Sequence, residues 1–156
     1  MKYSSYIYLS LFLYACSVNK TQHNSSPLTF KSIAKDSYGG FEEPTLEQYT
    51  NQKDFETAWR KAWSNFSDSV SLPQIDFTKN NVVLVALGMR NNGGYQLKLN
   101  SVIENNKEVI IDYTEFTPNQ KCLYTQALVF PYEFISISKT SKKIEFRLSK
   151  QIGDCN

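Results

Sequence analysis

Histidine is almost missing from this chain. Of its 156 residues one is histidine, His23, and it lies in the polar stretch Ser17–Pro27. That leaves no Ser-His or Cys-His pair beyond this stretch, and no zinc site built from imidazoles. Cysteine is scarce too, with only Cys16, Cys122 and Cys155. Charge of one sign is not in excess: 17 Lys and Arg face 15 Asp and Glu, a formal net charge of +2. No block of like charge appears, so the basic patch that nucleic-acid binding requires is absent and no nucleic-acid partner is expected. Gly-x-Ser-x-Gly, His-Glu-x-x-His and phosphate-loop motifs are all lacking. Asp76, Asp112, Glu115 and Glu133 remain as material for a carboxylate pair, but surface carboxylates occur in every soluble protein. The expectation is therefore no enzyme, no cofactor and no metal.

What is present starts at the N-terminus. Lys2 precedes a short apolar run, Tyr6–Ala15, and Cys16 follows at its end. About 20 apolar residues are needed to span a bilayer, so the run is too short for that and has the anatomy of a secretory leader. Leu13-Tyr14-Ala15-Cys16 resembles a bacterial lipobox, although Tyr14 is bulkier than the residue usual there. The expected organisation is a signal peptide over residues 1–15, a lipidated Cys16 that anchors the mature chain to a bilayer, a flexible tether over 16–27 and one domain over 28–156. An ordinary secretory leader that happens to be cut near a cysteine is the alternative. Either way the chain is exported. With lipid on Cys16 the address is the bacterial cell envelope, at a periplasmic face or the cell surface.

Cys122 and Cys155 then remain as a pair in a compartment that permits disulfides. Bonding them would close a loop of roughly 34 residues, worth ~3–4 kcal/mol on the chain-entropy estimate. It would also pin the tail Gln151–Asn156. Two free thiols are the other possibility.

One helix is legible. Phe55, Ala58, Trp59, Ala62, Trp63 and Phe66 form a single stripe at helical spacing, with Asn51 placed to cap a helix over about 52–65. The two tryptophans read as core packed against a sheet. Most of the rest alternates or runs apolar as strands do: 81–87, 95–104, 108–116, 125–130, 132–138 and 144–148, with weaker candidates at 29–33 and 45–49. Asn105-Asn106 reads as a tight turn with positive φ, and Pro131 as a bend or edge. The fold class is α+β: a mainly antiparallel sheet of about six or seven strands, sandwich- or barrel-like, with one amphipathic helix packed on it.

The most unusual segment is Gly88-Met89-Arg90-Asn91-Asn92-Gly93-Gly94-Tyr95. Glycine permits positive φ and close backbone approach, and asparagine tolerates the left-handed region. Two readings are open. One is a shaped loop presenting a solvated Arg90, with Tyr95, to a partner. The other is a plain hairpin turn.

Ile75-Asp76-Phe77, the run Val82–Leu87, the Gly88 to Tyr95 loop, Gln126-Ala127-Leu128 and Pro131-Tyr132 resemble the C-terminal domain of the PrcB family. The resemblance extends over about Thr45 to Phe146; Asn92 stands where the family usually has a smaller residue. The family is named for a lipoprotein that associates with a secreted subtilisin-like protease complex and stabilises it. The resemblance implies a non-catalytic role with a protein partner, a protease among the candidates, that is stabilised, chaperoned or inhibited. The binding residues it suggests are Arg90, Asn91, Asn92, Gly93, Gly94 and Tyr95, with Pro131 and Tyr132 if the fold brings them near. A small-molecule or glycan binder using exposed aromatics is the rival.

Overall fold

The computed structural model describes residues 25–68 and 70–155. The leader, Cys16 and most of the tether fall outside the described residues. Among the described residues, a short strand β1 (Ser26–Pro27) comes first, then β2 (Phe30–Asp36), β3 (Thr45–Tyr49) and one helix, α1 (Gln52–Ala62). After it come β4 (Asn80–Ala86), β5 (Gln96–Glu104), β6 (Glu108–Thr117), β7 (Tyr132–Ser138) and β8 (Lys143–Ile152). The strands form two four-stranded sheets, ordered β1-β5-β6-β8 and β2-β7-β4-β3. All neighbours are antiparallel except β6 and β8, which run parallel. The class is α+β and sandwich-like, with no closed barrel among the described residues.

Three layers explain the sequence patterns. Helix α1 covers one face of the β2-β7-β4-β3 sheet, and the other sheet covers its opposite face. Val82, Leu84 and Ala86 of β4 therefore join Phe55, Trp59, Tyr132 and Phe134 in an aromatic core under the helix. Val83 and Val85 join Leu97, Val109, Ile111 and Ile135 in an aliphatic core between the sheets. A central strand covered on both faces has no polar side to show, so Val82–Leu87 reads as one apolar run. Helix α1 starts at Asn51, whose Oδ1 accepts the Asp54 N–H at 2.9 Å, and it ends at Ala62, earlier than the stripe suggests. Trp59 is in the core, whereas Trp63, at the C-cap, is partly buried.

Four expectations need correction. Residues 125–130 make no strand, only isolated bridges at Val129 and Phe130. The last strand runs to Ile152, well past Leu148. The tether's final residues, Ser26 and Pro27, pair with Glu104 and Ile103 of β5 and so belong to the fold. The Asn105-Asn106 turn uses no positive φ; the Asn105 Oδ1 instead accepts the N–H groups of Lys107 and Glu108 at 2.8 and 3.0 Å.

Strand registers divide the sandwich into two ends. Short turns join β5 to β6 and β7 to β8 at one end, where β1 also enters beside Glu104. The connections 37–44, 87–95 and 118–131 gather at the other, together with the tail after Ile152.

Candidate functional site

The loop end is stitched by backbone hydrogen bonds between connections distant in sequence. Arg90 and Val129 exchange both bonds, at 2.8 and 3.0 Å, and Gly93 N–H donates to the Thr125 carbonyl at 3.0 Å. Loop 37–44 joins through Met89 N–H to the Glu42 carbonyl at 2.8 Å and Phe130 N–H to the Ser37 carbonyl at 2.7 Å. The tail joins through Gly153 N–H to the Thr117 carbonyl at 2.9 Å. A disulfide between Cys122 and Cys155, with Cα atoms 5.4 Å apart, fastens it to loop 118–131. Gly88 turns out of β4 at φ 78°, the only positive φ among the described residues. Gly94 has no such angle. It is needed because a Cβ there would lie 2.9 Å from the Tyr124 ring.

Arg90 is not the solvated loop residue that its setting suggests. Its Nε donates to Glu115 Oε1 at 2.7 Å, and its side chain is only 22% exposed. Glu115 points inward from β6, in phase with Val109, Ile111 and Tyr113, and is 2% exposed. Lys150 Nζ lies 3.2 Å from Glu115 Oε2, close enough for an ion pair though off hydrogen-bond alignment. Burial pushes the Glu115 carboxyl up, but the Arg90 hydrogen bond and the charges of Arg90 and Lys150 outweigh it and hold the group below the usual glutamate value. Arg90 also lies over the Tyr95 ring, 5.7 Å from its centroid. Its guanidinium is a rivet between loop and sheet.

The other anticipated contact residues separate. Asn91 is exposed, and Asn92, Gly93 and Tyr95 are partly so. The Asn92 side chain accepts the Gly94 N–H at 2.9 Å and shapes the turn. Pro131 is buried. Tyr132 is 0% exposed and packs on Phe41 and Phe134. It offers nothing to a partner in this state. Burial, then the charge of Asp36, push its phenol up to about 12. The four carboxylates considered for catalysis are dispersed: Asp76 accepts from Thr78, Asp112 from Ser101, Glu115 from Arg90, and Glu133 pairs with Lys35.

Sequence patterns gave no hint of the apolar residues that this end exposes. Tyr38, Met89, Leu123, Leu128 and Ile152 are exposed large apolar side chains, all on the gathered loops or at the end of β8. A second feature lies elsewhere. Trp59, Trp63, Phe66 and Val70 line a groove of about 260 Å³ beside α1, with Arg60 and Asp68 at its margin.

Residues 81–138 match the family model described as PrcB C-terminal. The matched segment runs from β4 through β7 and contains both the 87–95 and 118–131 loops. Helix α1, its tryptophans and β8 fall outside it, so the match covers a narrower span than 45–146. The chain matches no curated protein and no solved structure.

Proposed function

We propose that this protein is a non-catalytic, membrane-anchored lipoprotein whose domain binds a protein partner, such as a secreted protease, through the loop end. The observation that carries the reading is the joining of three sequence-distant connections by main-chain hydrogen bonds into a surface bearing exposed apolar side chains. A surface fixed before contact loses less conformational entropy on binding. Exposed apolar groups on a fixed frame are material for an interface. The PrcB C-terminal match over the two loops that form most of this surface agrees with it. So does polarity: Ser26 enters beside Glu104, at the end opposite the loops. A lipid on Cys16 would leave the loops facing away from the bilayer.

Photo-crosslinking tests the reading. p-Benzoylphenylalanine at Asn91 should yield one dominant adduct in intact cells, and the same group at Lys53 on α1 should not. Equal labelling from both positions, or none from Asn91, overturns it. The aromatic groove beside α1 supports a second reading as a small-molecule or glycan binder. Trp63 Nε1 is buried there without a hydrogen-bond partner among the described residues. However, Trp59 is buried and Trp63 packs on Phe66 at 4.9 Å, so much of the ring surface is already covered. Tryptophan fluorescence titrations with cell-envelope glycans would show saturable quenching if that reading held.

A further inference from the structure

The outermost strand of a sheet has a row of N–H and C=O groups with no strand beside them, and a long flat edge is a template for another chain. Three of the four edges of this sandwich are blunted. β2 changes register between Ser32 and Ala34. β3 has only five residues. β5, beyond the two residues that β1 covers, changes register between Leu99 and Ser101. The fourth edge, β8, is different. It is a ten-residue strand that keeps one register with β6 from Lys143 to Ile152. Every residue from Arg147 to Ile152 is exposed. Leu148 is 46% exposed although it lies beside the buried Tyr113, on the face turned to the other sheet.

We infer that β8 pairs antiparallel with β8 of a second copy of this chain, about a two-fold axis that passes through Phe146. In such a pair, residues equally far from the axis stand opposite each other on the same face of the joined sheet. On the solvent face Glu145 meets the second copy's Arg147, and Arg147 its Glu145. Glu145 and Arg147 are already paired within one strand at 2.8 Å, so the four charges alternate in sign around a square. On the other face Phe146 meets Phe146, flanked on each side by Ile144 against Leu148, which covers the exposed leucine. Other centres fit worse. An axis at Glu145 or Arg147 sets like charges directly opposite, which destabilises strand pairing. An axis at Ile144 sets Lys143 against Glu145 but joins three residues of the strand, whereas Lys143–Ser149 gives seven. Axes from Leu148 onward bring no acid opposite a base. Outside the seven, Lys150 meets Lys142, and each has a carboxylate of its own, Glu115 and Glu104. The strand is complementary to itself, and so the occupant is a second copy. This pairing goes beyond the protein-binding reading and uses a different surface, since β8 lies outside the matched residues 81–138. The two loop ends fall at opposite ends of the joined sheet. A single copy would stand on its anchor; a dimer held by two would lie with its strands along the bilayer and a loop end open at each side.

Sedimentation of the full chain, purified from membranes in density-matched detergent, should show a reversible dimer at micromolar concentration. Glu145→Arg sets cations opposite each other twice and should raise the dissociation constant ~10-fold or more. Adding Arg147→Glu exchanges the charges and should restore it. Both side chains are partly exposed, so the melting temperature of the dilute monomer should barely move in either variant. The register is read by oxidation: copies with Glu145→Cys mixed with copies with Arg147→Cys should link faster than either kind alone. In intact cells, p-benzoylphenylalanine at Lys143 should give an adduct of twice the chain's mass. A monomer at every concentration, one affinity for all three charge forms, or equal linking by a single kind of cysteine overturns the inference. So does a Lys143 adduct with a different protein, which would give the edge to another partner. Crosslinking from Asn91 probes the other surface, and its result leaves this one untouched.

Discussion

The two ends of the sandwich are built on different rules. At the end where β1 enters, each turn carries its own local cap: Asn105 caps residues 107 and 108, Thr140 Oγ1 accepts the Lys142 N–H at 3.1 Å, and Asp76 caps Thr78. These caps reach two or three residues, and ties between the turns, such as Lys139 N–H to the Lys79 carbonyl and Lys142 Nζ to the Asn105 carbonyl, are added to turns already capped. At the loop end no connection is self-sufficient. Loop 87–95 is held by residues 42, 115, 125 and 129, and loop 118–131 by residues 37, 90, 93 and 155. The difference teaches that local chemistry is enough to reverse a strand, whereas a shaped surface needs long-range ties whose entropy the rest of the fold has already covered. It also implies that perturbations should couple at one end and merely add at the other.

The sharpest way to break the loop end is to cut its covalent tie. Replacing Cys122 and Cys155 together by Ser should cost ~3–4 kcal/mol in urea denaturation, the chain-entropy value for a loop of this length. A loss below ~1 kcal/mol would mean that the hydrogen bonds hold the end without the disulfide. Arg90→Ala comes next. It strips the nearest cation from a buried carboxylate and leaves Lys150, which is mostly exposed, as the only compensation. Removing one partner of a buried pair costs ~3–5 kcal/mol, so a loss of ~3 kcal/mol is expected, near the low end because Lys150 remains. The pH dependence has a definite sign. The Glu115 value is lowered by folding, so its contribution is full above the ordinary glutamate value and fades as pH falls through the lowered one. In Arg90→Ala burial is less opposed, the carboxyl value rises, and acid unfolding should begin at a higher pH than in the parent. An unshifted acid limb would show that Lys150 alone sets the charge.

Much of this architecture was legible in the sequence, and the legible parts share a cause. The α1 stripe, the apolar β4 and the alternation in β5 are legible because each element faces a single layer or is covered on both sides. The 125–130 segment broke the rule. Its Ala127, Leu128, Val129 and Phe130 look strand-like, yet they pair only with single residues of two other loops. Arg90 reads as solvated in sequence but is ion-paired in the fold, because its partner lies 25 residues away. A signal was present: Glu115 continues the inward phase of Val109, Ile111 and Tyr113, and a carboxylate in an apolar phase requires a cation. Tyr132 shows the reverse. Pro131-Tyr132 suggested an exposed bend, but Tyr132 is the first residue of a strand buried on both faces.

Coupling at the loop end can be sharpened with a milder change. Gly94→Ala drives a methyl toward the Tyr124 ring, and overpacking of this kind costs ~1–3 kcal/mol, so about 2 kcal/mol is expected by thermal denaturation. Tyr124→Ala should relieve most of that penalty, so the double variant should be more stable than the two single losses added together. Strict additivity would deny the contact.

Asn105→Ala carries the comparison to the self-capped end, where the smallest effect is expected. The substitution removes the acceptor for two N–H groups and the amide that reaches Glu108 Oε1 at 3.4 Å. Lys107 is exposed, so water can take over its N–H. The Asn105 carbonyl still accepts the Lys142 ammonium at 2.8 Å, since that bond uses the backbone. A net loss of ~1 kcal/mol follows for hydrogen bonds partly replaced by solvent. The informative quantity is its sum with Arg90→Ala. The two sites lie at opposite ends of the sandwich and share no partner, so the double variant should equal the sum of the single losses within ~0.5 kcal/mol. Partner capture from Asn91 should also survive Asn105→Ala unchanged. A coupling well above that limit would mean that strain passes along β5 and β6 from one end to the other, and the division into a self-capped end and a stitched end would have to be abandoned.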